Sequence, residues 1–125
     1  MDLDVSDFTP FQQRALLDLY LLALEADGQL PPASDARLDS LFQAMGYHTE
    51  VERQREFDAS VERIKPLAHP VQRARDQLIV LSQAFTVRSE HKKVYTAMQA
   101  IFAGDAHVSS VEHYLLSELR LRYRL

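Results

Sequence analysis

Residues 15–30 read ALLDLYLLALEADGQL, and this stretch decides the fold. From Ala15 to Leu24 the residues are apolar nearly all round a helix, interrupted only by Asp18. Such a helix is usually central and has neighbours on several sides. The run ends at Asp27-Gly28, where a glycine can adopt the left-handed backbone that closes a helix. The sequence therefore predicts a buried helix that ends at an acidic corner.

A second acidic corner, Asp105-Ala106-His107-Val108, precedes the last helical segment. The chain matches itself between the two corners at an offset of 78 residues. The matched pairs are Asp27 with Asp105, Leu30 with Val108, Leu38 with Leu116 and Leu41 with Leu119. We predict an all-α fold, a compact bundle of about six helices built from two helix–acidic corner–helix pseudo-repeats that are related by a pseudo-twofold rotation.

The composition favours one helical domain. Only three glycines occur in 125 residues, and neither strand-like alternation nor a low-complexity linker is found. We expect a single domain over residues 1–125, because this length is sufficient for one core. Signals for the start of a helix are predicted at Thr9, Pro31-Pro32, Thr49, His69-Pro70, Ser89 and Ser109.

Charge and composition exclude several classes of function. A formal net charge of −4 argues against a general nucleic-acid binder, which normally has a basic surface. The chain has no cysteine, so it has no disulfide framework and no thiolate metal site. No segment reaches the roughly 18 consecutive apolar residues of a membrane span, and the first residues are acidic where a secretory signal is basic. We expect a soluble, cytoplasmic protein.

The acidic corners are the candidate metal site. If the two halves pack around a twofold axis, Asp27 and Asp105 approach each other, with Glu25 and Glu112 adding further carboxylate oxygens. Hard oxygen ligands are those that calcium or magnesium prefers, although neither corner has the spacing of an EF-hand loop. The alternative is that the aspartates only shape turns and that Glu112 only caps a helix.

Other chemistry is not indicated by the sequence. The five histidines lack zinc-binding spacing, the serines lack a nucleophile elbow, and no glycine-rich phosphate loop is found. Four aromatic residues are expected either to cover the rim of the core or to line an interaction groove: Phe8, Phe11, Tyr47 and Tyr123.

Residues 23–30, ALEADGQL, followed by a helix with Leu38 and Leu41, resemble the tellurite-resistance protein TerB family. Residues 105–112, DAHVSSVE, resemble it as well, and a related domain stands at the front of membrane-anchored DnaJ-like co-chaperones. The family pattern is Ala-Asp-Gly, an apolar residue, and then an acid at the start of the next helix. Here Ser34 stands at the acidic position of the first corner, and Ala106 replaces the glycine of the second.

The resemblance implies a stress-associated cytoplasmic protein that binds a divalent cation and a protein partner and has no established enzymatic activity. We therefore expect a non-enzymatic TerB-like module whose protein partner is unidentified. Two alternatives stay open. One is a metal-dependent enzyme that uses the acidic corners, and the other is a purely structural subunit of a homo-oligomer such as a homodimer.

If Asp27, Asp105 and Glu112 share a cation, millimolar calcium or magnesium should raise the melting temperature, because a ligand that binds only the folded state stabilises it. The double substitution of Asp27→Asn and Asp105→Asn should abolish this shift without destabilising the metal-free protein, because it removes close like charges. Scanning calorimetry with and without calcium measures both effects. A shift that survives the double substitution would place the ion elsewhere, and an unchanged curve would leave these acids as turn-forming residues.

Overall fold

The computed structural model describes residues 3–103 and 108–125 of the chain. The described residues form six α-helices and one short 3₁₀ turn, without a strand, which confirms the predicted all-α bundle. The elements are α1 (Pro10–Ala26), α2 (Ala36–Met45), α3 (Glu50–Ile64), the 3₁₀ turn (Lys65–Leu67), α4 (Val71–Ser82), α5 (Arg88–Ala103) and α6 (Ser110–Tyr123). None of these helices combines the length and the apolar composition that crossing a membrane requires.

Helix α1 lies at the centre of the bundle, as its apolar sequence predicts. It packs against α3, α4 and α6, and every residue from 15 to 24 is buried. A capping box fixes its start, because the Thr9 hydroxyl accepts the Gln12 N–H and the Gln12 side chain accepts the Thr9 N–H. After its end, Gly28 has a φ of 71°, which is the left-handed conformation predicted for the corner.

Helix α2 begins later than predicted, at Ala36 instead of at Pro31-Pro32. Its N-cap is Asp35, whose Oδ1 accepts the backbone N–H of Arg37 at 2.9 Å. The Arg37 guanidinium bonds to both oxygens of the same carboxylate. The acid that opens the helix after the first corner is therefore Asp35, one residue beyond Ser34.

Helix α5 also begins differently from the prediction. It starts at Arg88, so Ser89 lies inside the helix and is not its cap. The Glu90 carboxylate instead accepts the backbone N–H groups of Thr86 and Val87. A hydrogen bond from the Gln12 side chain, together with these two backbone bonds, lowers the pKa of Glu90. An acid in the first turn is favourable because it faces the positive end of the helix dipole.

From helical periodicity we expect Val51, Val80 and Tyr114 to face the core, and for these three residues the expectation is wrong. Val51, Val80 and Tyr114 are 75%, 56% and 36% exposed, respectively. Ser60, a residue that hydropathy does not mark, is fully buried on α3 instead. Of the exposed side chains, Val80 lies beside a groove along α1 that none of the described helices covers.

The 78-residue offset coincides with helix boundaries. Helices α1 and α5 start 78 residues apart, and α2 and α6 end 78 residues apart. Gly46 and Arg124, which follow these ends, are both left-handed, with φ values of 85° and 55°. Gln12 and Glu90 are also 78 residues apart, and their side chains form a hydrogen bond of 3.0 Å. The repeat therefore marks real helix ends, while the rotation that relates the two halves stays a prediction.

Tyr123 attaches the end of α6 to its neighbours. Its hydroxyl donates to the Ser82 carbonyl at 2.9 Å, and burial raises the pKa of this tyrosine. The His91 ring stacks on the Tyr123 ring at a centroid distance of 4.0 Å, and its Nε2 donates to the Phe85 carbonyl. These contacts join α6 to the end of α4 and the start of α5, and they show that Tyr123 is part of the core rim.

Shortening a buried leucine side chain of α1 should destabilise the protein strongly. Leu22 and Leu24 are at most 1% exposed, so replacement of either by alanine should cost about 2–5 kcal/mol of unfolding free energy, the usual loss for a buried leucine. Val51→Ala is the matched control and should change stability by no more than about 0.5 kcal/mol. Urea unfolding measures all three, and losses below about 1 kcal/mol for both leucines would contradict a central position of α1.

Candidate functional site: a groove between α1 and α4

A groove of about 530 Å³ runs along the outer surface where α1 and α4 pack side by side. Each helix lines it with residues at i, i+3, i+4 and i+7, the spacing of one helix face. These residues are Phe11, Arg14, Ala15 and Asp18 on α1 and Gln77, Val80, Leu81 and Ala84 at α4 and its C-terminal end, with Arg63 of α3 and Gln83 completing the lining.

Apolar side chains form the walls of the groove. Phe11 is 70% exposed and Val80 is 56% exposed, while Ala15, Leu81 and Ala84 lie deeper between them. A single exposed apolar residue is ordinary on a protein surface, whereas several around one concave setting make it a candidate interaction site. Phe11 is therefore one of the predicted aromatic residues that lines a groove.

The two helices run in opposite directions along the groove. The side-chain amide of Gln12 donates to the Ala84 carbonyl at 3.2 Å, so the Phe11 end of α1 lies beside the Ala84 end of α4. Asp18 lies two turns further along α1, at the other end of the groove. The groove consequently has an apolar end near Phe11 and a charged end near Asp18.

Asp18 is a buried charge with a complete set of partners. It is 5% exposed, and its carboxylate accepts the Ser60 hydroxyl and two N–H groups of Arg63, at 2.8 and 2.9 Å. Two parallel hydrogen bonds between a guanidinium and a carboxylate are the strong form of this contact. The bonds to Asp18 raise the pKa of Arg63. They also attach α3 to α1 at the edge of the groove.

A second ion pair, between Arg14 and Glu56, has the same orientation. Their closest nitrogen–oxygen distance is 3.6 Å, and the arginine side chain is 52% exposed while the glutamate side chain is 13% exposed. In the pair of Arg63 and Asp18, the corresponding exposures are 40% and 8%. Both pairs keep the acid inside and the guanidinium outside, so this edge of the groove presents hydrogen-bond donors to the solvent.

The sequence names Phe11 as a residue that could line a groove, but it does not locate the groove, although one signal for the charged end exists. Asp18 interrupts a helix that is otherwise apolar on all sides, and a buried carboxylate needs a cationic or hydrogen-bonding partner. That partner, Arg63, is 45 residues away in the chain. The spacing of charges within one helix cannot identify a partner on another helix.

The first acidic corner has other local contacts. Asp27 is half-buried and follows the end of α1 as its C-cap. The Glu25 carboxylate lies 3.7 Å from Nε2 of His69. Both predicted ligands are therefore partly buried near the end of α1, and Glu25 has a histidine beside it.

The second corner is only partly described. Asp105 lies outside the described residues. Glu112 lies in the first turn of α6, is 2% exposed, and has its backbone N–H bonded to the Ser109 hydroxyl at 3.0 Å, as predicted for this cap. In residues 3–103 and 108–125, no three histidine or acidic side chains are grouped as a metal site. The predicted cation site depends on Asp105 and stays a prediction.

Comparison of the chain with models of protein families, with curated proteins and with solved structures finds no match.

The two ion pairs at the groove should differ in their effect on stability. Arg63→Met leaves the Asp18 carboxylate buried with only Ser60 as its partner, so we expect a loss of about 3 kcal/mol. Arg14→Met removes a half-exposed partner and should cost at most about 1 kcal/mol, because solvent screens such pairs. Chemical denaturation of both variants tests this difference, and equal small losses would contradict a structural role for the buried carboxylate.

Proposed function

We propose that this protein is a non-enzymatic helical interaction module whose groove binds an amphipathic helix of a partner protein. The observation that carries the proposal is the pairing of two helix faces along one furrow, with Phe11 and Val80 exposed on its walls. A third helix packs into such a furrow through its own side chains at i, i+3, i+4 and i+7.

The length of the groove sets the size of the contact. Each wall spans seven residue steps, from Phe11 to Asp18 and from Gln77 to Ala84. At a rise of 1.5 Å per residue, this is about 10 Å, or about two turns of an incoming helix. Two or three apolar anchors on the partner therefore suffice to fill the space between the walls.

We also propose the TerB-like, stress-associated role that the resemblance to that family implies. Its support is the resemblance of residues 23–30 to the family pattern, together with the coincidence of the 78-residue repeat with helix ends. An interaction module is favoured over a metal-dependent enzyme because the groove offers apolar walls and paired charges. Asp18 and Arg63 bind each other, so neither is positioned as a free acid, base or metal ligand.

A displayed library of helical peptides of about 14 residues, four turns long, tests the docking directly. Selection on the purified protein should enrich peptides with apolar residues at helical spacing. Binding should fall by at least about tenfold on the Phe11→Asp and Val80→Asp variants, because each places a charge on an apolar wall. Both side chains are more than half exposed, so these variants should still fold.

Val51→Asp is the matched control, because Val51 is equally exposed but lies on α3, outside the groove lining. It should bind the selected peptides as tightly as the unmodified protein does. Failure to enrich any helical peptide, or equal binding to the Phe11→Asp variant, would contradict the proposal.

A further inference from the structure

We infer that the partner helix carries a carboxylate side chain at one end of its apolar stripe, and that Arg63, with Arg14 beside it, binds this carboxylate. The inference rests on the proposed function and specifies the chemistry of the partner. It follows from the orientation of the two ion pairs, from the geometry of the Arg63 guanidinium and from the polarity of the groove.

The orientation of the pairs determines which charges a ligand meets. The Asp18 and Glu56 side chains are only 8% and 13% exposed, so each lies beneath the arginine that it pairs with. The paired Arg63 and Arg14 side chains are 40% and 52% exposed. A helix lying in the groove therefore touches two guanidinium groups before either carboxylate. Close contact with a guanidinium favours a planar carboxylate, which accepts two parallel N–H groups.

The hydrogen bonds of Arg63 to Asp18 already fix its guanidinium in one orientation. Its Nε and Nη2 donate to the two oxygens of Asp18, which fixes the plane of the guanidinium. Its Nη1 has no hydrogen-bond partner elsewhere in residues 3–103 and 108–125. Because the side chain is already ordered, binding a second acceptor costs little additional rotamer entropy.

The balance of charge favours a single carboxylate over a more highly charged anion. Two arginines face two acids at this edge, so it has donors to offer but no net positive charge. A phosphate dianion needs an excess of positive charge, whereas one carboxylate needs only properly placed donors. The neutral Gln77 and Gln83 provide no comparable attraction on the α4 side.

The different chemistry of the two ends of the groove determines where the acid lies along the partner helix. Arg63 contacts Asp18 at one end, and Phe11 lies beside Ala84 at the other end. The partner's apolar anchors therefore lie toward Phe11, and its acid lies about two turns away, toward Asp18. This arrangement also gives the bound helix one direction.

The test compares two synthetic peptides, one selected from the display library and the same peptide with its Glu or Asp changed to Gln or Asn. Isothermal titration on the unmodified protein should show the acidic peptide binding about tenfold tighter, equivalent to 1.4 kcal/mol. The Arg63→Lys variant keeps the charge but loses the planar guanidinium. On this variant the ratio of the two peptide affinities should fall to about threefold or less. Arg14→Gln should reduce it as well, and it provides a second variant if Arg63→Lys unfolds.

Arg75→Lys is the matched control, because Arg75 is paired with Glu118 at 3.3 Å and is similarly exposed, outside the groove. It should leave the ratio unchanged. Selected peptides that contain no acid, or two peptides of equal affinity, would overturn the acidic partner while leaving the docking groove intact. Failure to select any helical peptide would overturn the docking function itself.

The other possible occupants give different results. A second copy of the chain in the groove would appear as a concentration-dependent dimer in analytical ultracentrifugation, lost in Phe11→Asp, and would overturn the inference. If the groove instead binds a small apolar acid, decanoate at the same concentration as the acidic peptide should displace that peptide. This result would also overturn the inference. A monomeric protein whose acidic peptide is not displaced by decanoate would support the inference.

Discussion

The fold depends on one constraint, which is that a helix apolar on all sides must be covered on all sides. Every residue of α1 from Ala15 to Leu24 is buried, so helices α3, α4 and α6 must surround this part of the helix. This run is covered on all sides, and the open face of the helix lies near its start, where Phe11 projects beside α4. The groove is therefore the part of the central helix that the described part of the bundle leaves open.

A second constraint acts within the first. Asp18 is buried in the same helix, and a buried charge is tolerated only when a partner neutralises it. Arg63 provides that partner from α3, and Ser60 adds a hydroxyl from the same helix. The stability of the fold and the proposed recognition thus depend on one residue, because the guanidinium that neutralises the core charge also forms the edge of the groove.

The sequence was sufficient to predict what local pattern determines. The all-α class, the burial of α1 and the caps at Thr9 and Ser109 follow from periodicity and capping chemistry within a few residues. The start of α2 was predicted too early, because the prolines also suit an extended segment that leads to the true cap at Asp35. The position of the groove could not be predicted because exposure of Val80 depends on which face of α4 its neighbours cover, a tertiary property.

The layered charges at the groove have a consequence for the kinetics of association. Each exposed guanidinium has its own carboxylate beneath it, so the two pairs act as dipoles whose field fades within a Debye length of about 10 Å. The proposed partner, approaching from farther away, meets a protein of net charge −4 and gains no long-range steering toward this site. Encounter then proceeds at the unsteered rate of about 10⁵–10⁶ M⁻¹s⁻¹, and discrimination between partners appears in how long each complex lasts.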